Sequence, residues 1–218
     1  MRFLCISDIH GNANALSKIL KEGDARGFDQ LIVCGDLCFP GPEPLKVWKM
    51  LIERNAMCVQ GVGDKALASL DIEKLKPTTT EEEAMVQRLT DVRKELGELI
   101  LVRLGKLPKV ARLPLESGHT MLVVHGTPAD PQVSFNRAMT EEELVALLGD
   151  EPGDLIVCGS SHEQFEGQVA DVDILSVGSV GEAPGGTHAL ASIVTSSQTG
   201  YQVTSFSVPL DEEPEATN

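Results

Sequence analysis

The stretch Arg2-Phe3-Leu4-Cys5-Ile6-Ser7-Asp8-Ile9-His10-Gly11-Asn12 sets the reading of this chain. A short apolar run breaks into Ser7-Asp8, and Asn12 to Lys21 then carries Ala15, Leu16, Ile19 and Leu20 at helical spacing. The pattern returns downstream. Leu31 to Cys34 closes on Gly35-Asp36, and a proline-opened helix follows from Pro42 and Pro44 through Leu45, Val47, Trp48, Leu51 and Ile52. Ala56 to Gln60 then closes on Gly61-Val62-Gly63-Asp64. Strand, loop and helix recurring in this order predict βαβ units and a mainly parallel sheet.

Beyond residue 65 the pattern changes. Thr80 followed by Glu81, Glu82 and Glu83 is a helix-start signal, and the helical pattern continues to about Leu104, so about 65–108 is expected to be a helical insertion. Pro108 and Pro114 mark its exit. Thr120 to Val124 is a further strand ending at His125-Gly126, and Thr140 with Glu143 is a capping box for a helix to Leu148. Leu155 to Cys158 is a strand ending at Gly159-Ser160-Ser161-His162. Short runs at about 166–170, 172–176, 188–195 and 201–207 suggest antiparallel strands. One domain over 1–208 is expected, with 209–218 a disordered acidic tail holding Asp211, Glu212, Glu213 and Glu215.

The chain has 218 residues, 33 acids against 18 bases and a net charge of -15. That balance excludes a binder of the nucleic-acid backbone, which needs clustered Lys and Arg. No apolar run reaches membrane-spanning length; the longest candidate, Leu99 to Leu107, is broken by Arg103, Gly105 and Lys106. The N-terminal run enters Asp8 and His10 without a small-residue cleavage site and is read as a strand, not a signal peptide. Of the five cysteines, Cys5, Cys34, Cys58 and Cys158 lie in apolar strand-like runs, which fits buried thiols in a reducing cytoplasm. Cys34 and Cys38 lack the second ligand pair a zinc knuckle needs.

Asp8 and His10, Asp36, Asp64, His125 and His162 all stand just beyond the carboxyl ends of predicted strands, where α/β sheets bind their ligands. Acids and imidazoles without convergent thiolates suit a divalent ion of the Mn, Fe, Zn or Ni class. His119 and His188 lack such a setting and are given no role, and Trp48 and Tyr201 are solitary and read as packing residues.

The segments Ser7-Asp8-Ile9-His10-Gly11-Asn12, Cys34-Gly35-Asp36, Gly61-Val62-Gly63-Asp64, Val124-His125-Gly126 and Cys158-Gly159-Ser160-Ser161-His162 resemble the ordered motifs of calcineurin-like metallophosphoesterases. Gly41-Pro42-Glu43-Pro44, Thr127-Pro128 and Val177-Gly178-Ser179-Val180-Gly181 resemble the small bacterial and archaeal phosphodiesterase branch. The resemblance implies a four-layer α/β/β/α sandwich of two mixed sheets. It implies a first metal on Asp8, His10, Asp36 and His162, with Asp36, His125 and Asp64 as candidate catalytic groups. The second site departs from the family. Val62 stands where an Asn ligand is expected, Ser160 where a His ligand is expected, and Gly63 replaces the His that often protonates the leaving group. His125 is left for a weak second ion or a phosphate oxygen, and one ion is expected rather than two.

The resemblance implies hydrolysis of a small phosphomonoester or phosphodiester by metal-activated water. The alternatives are a degenerate binding or scaffold protein, for which the retromer subunit of this fold is a precedent, and a purely structural cation site. The helical insertion is placed either as a cap on the site or as an oligomer surface.

Overall fold

The structure, a computed structural model, describes residues 1–210. Two five-stranded sheets form the frame. The first has the order β10-β9-β1-β2-β3, from β1 (Arg2–Ile6), β2 (Gln30–Val33), β3 (Met57–Cys58), β9 (His188–Ser197) and β10 (Gly200–Pro209). The second has the order β4-β5-β6-β8-β7, from β4 (Val110–Pro114), β5 (Thr120–Val124), β6 (Leu155–Cys158), β7 (Gln164–Val169) and β8 (Val172–Val177). Each sheet carries three parallel strands, β1, β2 and β3 in one and β5, β6 and β8 in the other, with antiparallel strands beside them. The sheets are therefore mixed rather than mainly parallel, as the family resemblance implies.

Period-two alternation builds three apolar layers. In β1, Leu4 and Ile6 pack against helices while Phe3 and Cys5 face the other sheet. In β6, Leu155 and Val157 face inward while Ile156 and Cys158 turn to the opposite surface. Helices cover both outer faces. The first sheet receives α1 (Ala13–Arg26), α2 (Pro44–Glu53), α3 (Val62–Ser69) and α4 (Thr80–Gly105), and the second receives α5 (Glu141–Leu147). The order is α/β/β/α.

Local chemistry starts the helices where the sequence signals it. The Asn12 side chain accepts from the Ala15 N–H at 3.0 Å. Thr140 and Glu143 complete their capping box. The helix α1 runs past Lys21 because Gly23 packs against β1: a Cβ at Gly23 would lie 2.6 Å from Leu4 Cδ2. The helix α4 is broken at Gly97, which takes φ 73° and ψ 162°. Leu89, Val92, Leu96 and Leu104 of α4 join the helical layer over the first sheet. Its Arg88 donates to the carbonyls of Pro40 and Gly41, bracing the loop after Asp36.

The strand β4 falls at the exit marked by Pro108 and Pro114, where the sequence suggested no element. The strand β10 runs through Pro209, so the first residue assigned to the tail belongs to the sheet, and the next, Leu210, donates its N–H to Thr187 O. The rest of the tail, from Asp211, lies outside the described residues. Among the described residues, no helix is long and apolar enough to cross a membrane.

Candidate metal centre

The six parallel strands point their carboxyl ends toward one rim. Asp8 and His10 leave β1, Asp36 leaves β2, Asp64 follows β3, His125 leaves β5, and Ser160 and His162 leave β6. The backbone is unusual there. Seven non-glycine residues among those described have positive φ, and five are Asp8, His10, Asp36, Ser160 and His162. Such conformations cost about 1–3 kcal/mol each and persist only where surroundings enforce them. Here a ladder of backbone bonds does so: Asp8 N–H to Gly35 O, His10 N–H to Asp36 O, and Gly11 N–H to Leu37 O, at 3.0 to 3.1 Å.

Two groups of ligand-type atoms form. Asp8, His10 and His162 make one, and Asp8, Asp36 and His125 make the other, each with its atoms within 4.8 Å of one another. In the first, His162 Nε2 lies 3.5 Å from Asp8 Oδ1 and 3.2 Å from His10 Nε2. In the second, His125 Nε2 lies 3.5 Å from Asp36 Oδ2. Asp36, which the family resemblance shares between both sites, stands beside His125 in the second group. Asp8 is the acid common to both.

Backbone carbonyls orient two of the imidazoles. His10 Nδ1 lies 2.6 Å from Phe39 O and His125 Nδ1 lies 2.8 Å from Cys34 O. A carbonyl only accepts, so each Nδ1 carries the proton in these bonds and each Nε2 keeps its lone pair toward the carboxylates. This is the usual way a metal-binding histidine is held.

Asp8 is fully buried, and its Oδ1 has no hydrogen-bond partner among the described residues. Its Oδ2 accepts from the Ser160 N–H at 2.9 Å. Burial opposes ionisation, yet His162 and then His125 hold the Asp8 carboxyl below its ordinary value. The same contact with Asp8 raises His162, against its own partial burial.

The family departures have visible consequences. Gly63 offers Asp36 Oδ1 only its N–H, at 2.7 Å. Val62 is 39 % exposed at the start of α3 and presents no donor atom. Ser160 contributes its backbone N–H to Asp8 rather than a ring nitrogen. Asp64 lies behind Asp36 in neither group, and its carboxylate accepts from the N–H groups of Asp36, Leu37 and Gly61 at 2.9 to 3.0 Å. Burial first, then the Asp36 carboxylate, push the Asp64 carboxyl up to about 6. Gly159 is required by close approach, since a Cβ there would lie 1.9 Å from Ser7 Oγ and 2.6 Å from Asp8 Oδ2.

One residue near the first group escaped the sequence reading. Glu182 Oε2 lies 3.6 Å from His10 Nε2 and 3.9 Å from His162 Nδ1. It directly follows Val177-Gly178-Ser179-Val180-Gly181, on the loop leaving β8, the sixth parallel strand. The same strand-end rule that located the others would have found it. The remaining histidines pair elsewhere, His119 with Ser117 and His188 with Thr187. All five cysteines are free, and burial raises the Cys34 and Cys38 thiols well above their ordinary range.

Two helix-covered sheets with an acid-and-imidazole rim define a metallophosphoesterase architecture. The profile of the calcineurin-like phosphoesterase superfamily domain matches residues 1–199, and this chain belongs to that family. Among solved structures it is similar to hypothetical protein PH1004 from Pyrococcus horikoshii OT3, at 19% identity and TM-score 0.81 over 97% of this chain and 89% of that one. It is also similar to a metallophosphoesterase from Sphaerobacter thermophilus, at 22% identity and TM-score 0.71 over 95% and 88%. Vps29 of Entamoeba histolytica, solved in complex with Zn, shares the fold at 14% identity and TM-score 0.52 over 96% and 99%. No curated protein matches the chain.

Proposed function

We propose that this chain is a metal-dependent phosphoesterase that hydrolyses a small phosphomonoester or phosphodiester with one principal divalent ion. The observation that carries the reading is Asp8 Oδ1, a fully buried carboxylate oxygen without a hydrogen-bond partner among the described residues, aimed at His10 and His162. A buried charge left this way is costly, and a cation satisfies it. The mixed nitrogen and oxygen donors suit Mn, Fe, Zn or Ni.

Asp8, His10 and His162 would hold the ion, which when bound supplies charge neutralisation at phosphoryl oxygens and an activated water. His125, oriented by Cys34 O, offers Nε2 to a phosphate oxygen or to a weaker second ion beside Asp36. Asp64 acts through Asp36, by fixing the N–H groups of the turn that carries it. Gly63 has no side chain to protonate a leaving group, and Val62 has no proton to give. General-acid help of that kind contributes about 100- to 10,000-fold. Turnover is therefore slow on esters with poor leaving groups and least impaired on activated ones.

The test is hydrolysis of an activated aryl phosphodiester with added Mn(II) or Ni(II). Wild-type activity should require the metal, and Asp8→Asn and His162→Ala should abolish it. Activity that survives Asp8→Asn refutes the assignment. The second reading, a metal-loaded binding scaffold, is favoured by the side chains missing at Val62, Gly63 and Ser160. It predicts stoichiometric metal uptake with no turnover across a phosphoester panel.

A further inference from the structure

We infer that Arg88, on the helical insertion, is a positioning residue for the metal centre: it sets His10 by gripping the loop whose carbonyl orients that imidazole. The inference rests on the metal-dependent reading above, in which His10 holds the ion, and extends it to a residue outside both groups of ligand-type atoms.

The segment from Phe39 to Glu43 holds His10 by its ring and by its backbone. Phe39 O accepts from His10 Nδ1 at 2.6 Å. Gly41 lies against the His10 peptide, where a Cβ would stand 1.4 Å from His10 O and 2.8 Å from the Gly11 carbonyl carbon. Glu43 N–H donates to Gly11 O at 3.0 Å. His10 itself has φ 49°, a conformation its surroundings must enforce. A shift of this segment therefore moves the ring's acceptor and the backbone contact together.

The segment is in turn tied down from outside. Among the described residues, no backbone N–H bonds Pro40 O or Gly41 O. Arg88 supplies both partners: Nε donates to Pro40 O at 2.6 Å, and Nη2 donates to Gly41 O. A guanidinium presents its donors in a fixed plane, so one fork on two successive carbonyls fixes their direction as well as their position. The fork has a firm base, because Leu89, Val92 and Leu96 of α4 are buried in the helical layer. Another contact of α4 falls elsewhere: Glu95 Oε1 accepts from Leu45 N–H at 3.4 Å, on α2 and past the segment that meets His10. Without the fork, the Pro40 and Gly41 carbonyls turn to water and the Phe39 carbonyl beside them loses its fixed direction. His10 then populates the other tautomer, with its proton on Nε2, the nitrogen whose lone pair an ion needs.

The experiment compares wild type, Arg88→Lys, Arg88→Gln and Glu95→Gln, each stripped with chelator. Ring-nitrogen NMR at about pH 8, above the ordinary imidazole range, reads the tautomer of His10, with its signals assigned by His10→Gln. Co(II) titration then reads affinity. Arg88→Lys keeps the charge without the fork and stands in should Arg88→Gln fail to fold. Glu95→Gln controls for a loosened insertion. The expected result is His10 protonated on Nδ1 in wild type and Glu95→Gln, a mixture of tautomers in the Arg88 variants, and Co(II) affinity about 10-fold lower in those variants alone. Arg88 variants that keep either the wild-type tautomer or the wild-type affinity overturn the inference. So does an equal change in Glu95→Gln, since the insertion then acts through stability alone. Wild type that takes up no Co(II) refutes the metal-dependent reading, and the tautomer comparison still decides whether Arg88 sets His10.

Discussion

Replacing Asp64 with asparagine removes a buried acid whose ionisation the fold resists. Burial, then the Asp36 carboxylate, lift its carboxyl from an ordinary 3.8 to about 6. A difference of this size corresponds to about 3 kcal/mol between the two protonation states. The folded protein holds the Asp64 proton more tightly than the unfolded chain does. The associated stability is therefore full below about pH 4 and is lost as pH rises through about 6. Asparagine has no such proton and serves the three N–H groups less well, so Asp64→Asn should be the weaker protein in acid. Its deficit against wild type should shrink by about 3 kcal/mol between about pH 4 and pH 8. The assay is urea unfolding of both proteins in chelator across that range, reading only the difference, so that Asp8 and His162 cancel. Added Mn(II) should reduce the drift, because a cation near Asp36 offsets the charge that disfavours ionised Asp64. A difference that stays flat with pH would show that Asp64 titrates as an ordinary acid and refute the reasoning.

Three further outcomes are expected. Gly159→Ala places a methyl 1.9 Å from Ser7 Oγ, so it should lower the melting temperature by a margin corresponding to about 1–3 kcal/mol and weaken Mn(II) uptake together; normal metal binding in that variant would count against the tight Ser7–Asp8 turn. Asp8→Asn should abolish Mn(II) binding in a titration while leaving the metal-free fold intact, because Oδ1 makes no hydrogen bond that asparagine would lose. Phe135→Ala empties a fully buried position in the layer beneath α5 and should cost about 3–5 kcal/mol in urea unfolding; a loss below about 1 kcal/mol would mean that the 131–139 loop collapses into the gap.

The site was legible in the sequence where chemistry and chain punctuation coincide. Asp8, His10, Asp36, His125 and His162 each follow an apolar run beside a glycine, and the structure brings all five to one rim. The division between two groups was not legible. It rests on contacts between loops, such as the Gly63 N–H on Asp36 Oδ1, that no local pattern encodes. Glu182 lacked a neighbouring histidine and followed a run read only for its likeness to the phosphodiesterase branch. Among the strands, β4 escaped because it is an edge strand with little buried surface, its Arg112 exposed and Pro114 at its end. Proline is tolerated there because an edge strand need not donate on both sides. The helix α1 runs on past Lys21 to Arg26, and Gly23 within it serves as the notch into which Leu4 fits.

The two halves of the rim belong to different sheets, and between those sheets lies the apolar layer of Phe3, Cys5, Ile32, Cys34, Met121, Val123, Leu155 and Val157. Asp8 and Asp36 ride on one side of that layer, His125 and His162 on the other. Its thickness is a spacer, so side-chain volume buried far from any ligand atom sets the bite of the pocket. Exchanging a methylene in this filling would shift the spacing between the two halves of the rim while leaving every polar residue as it is.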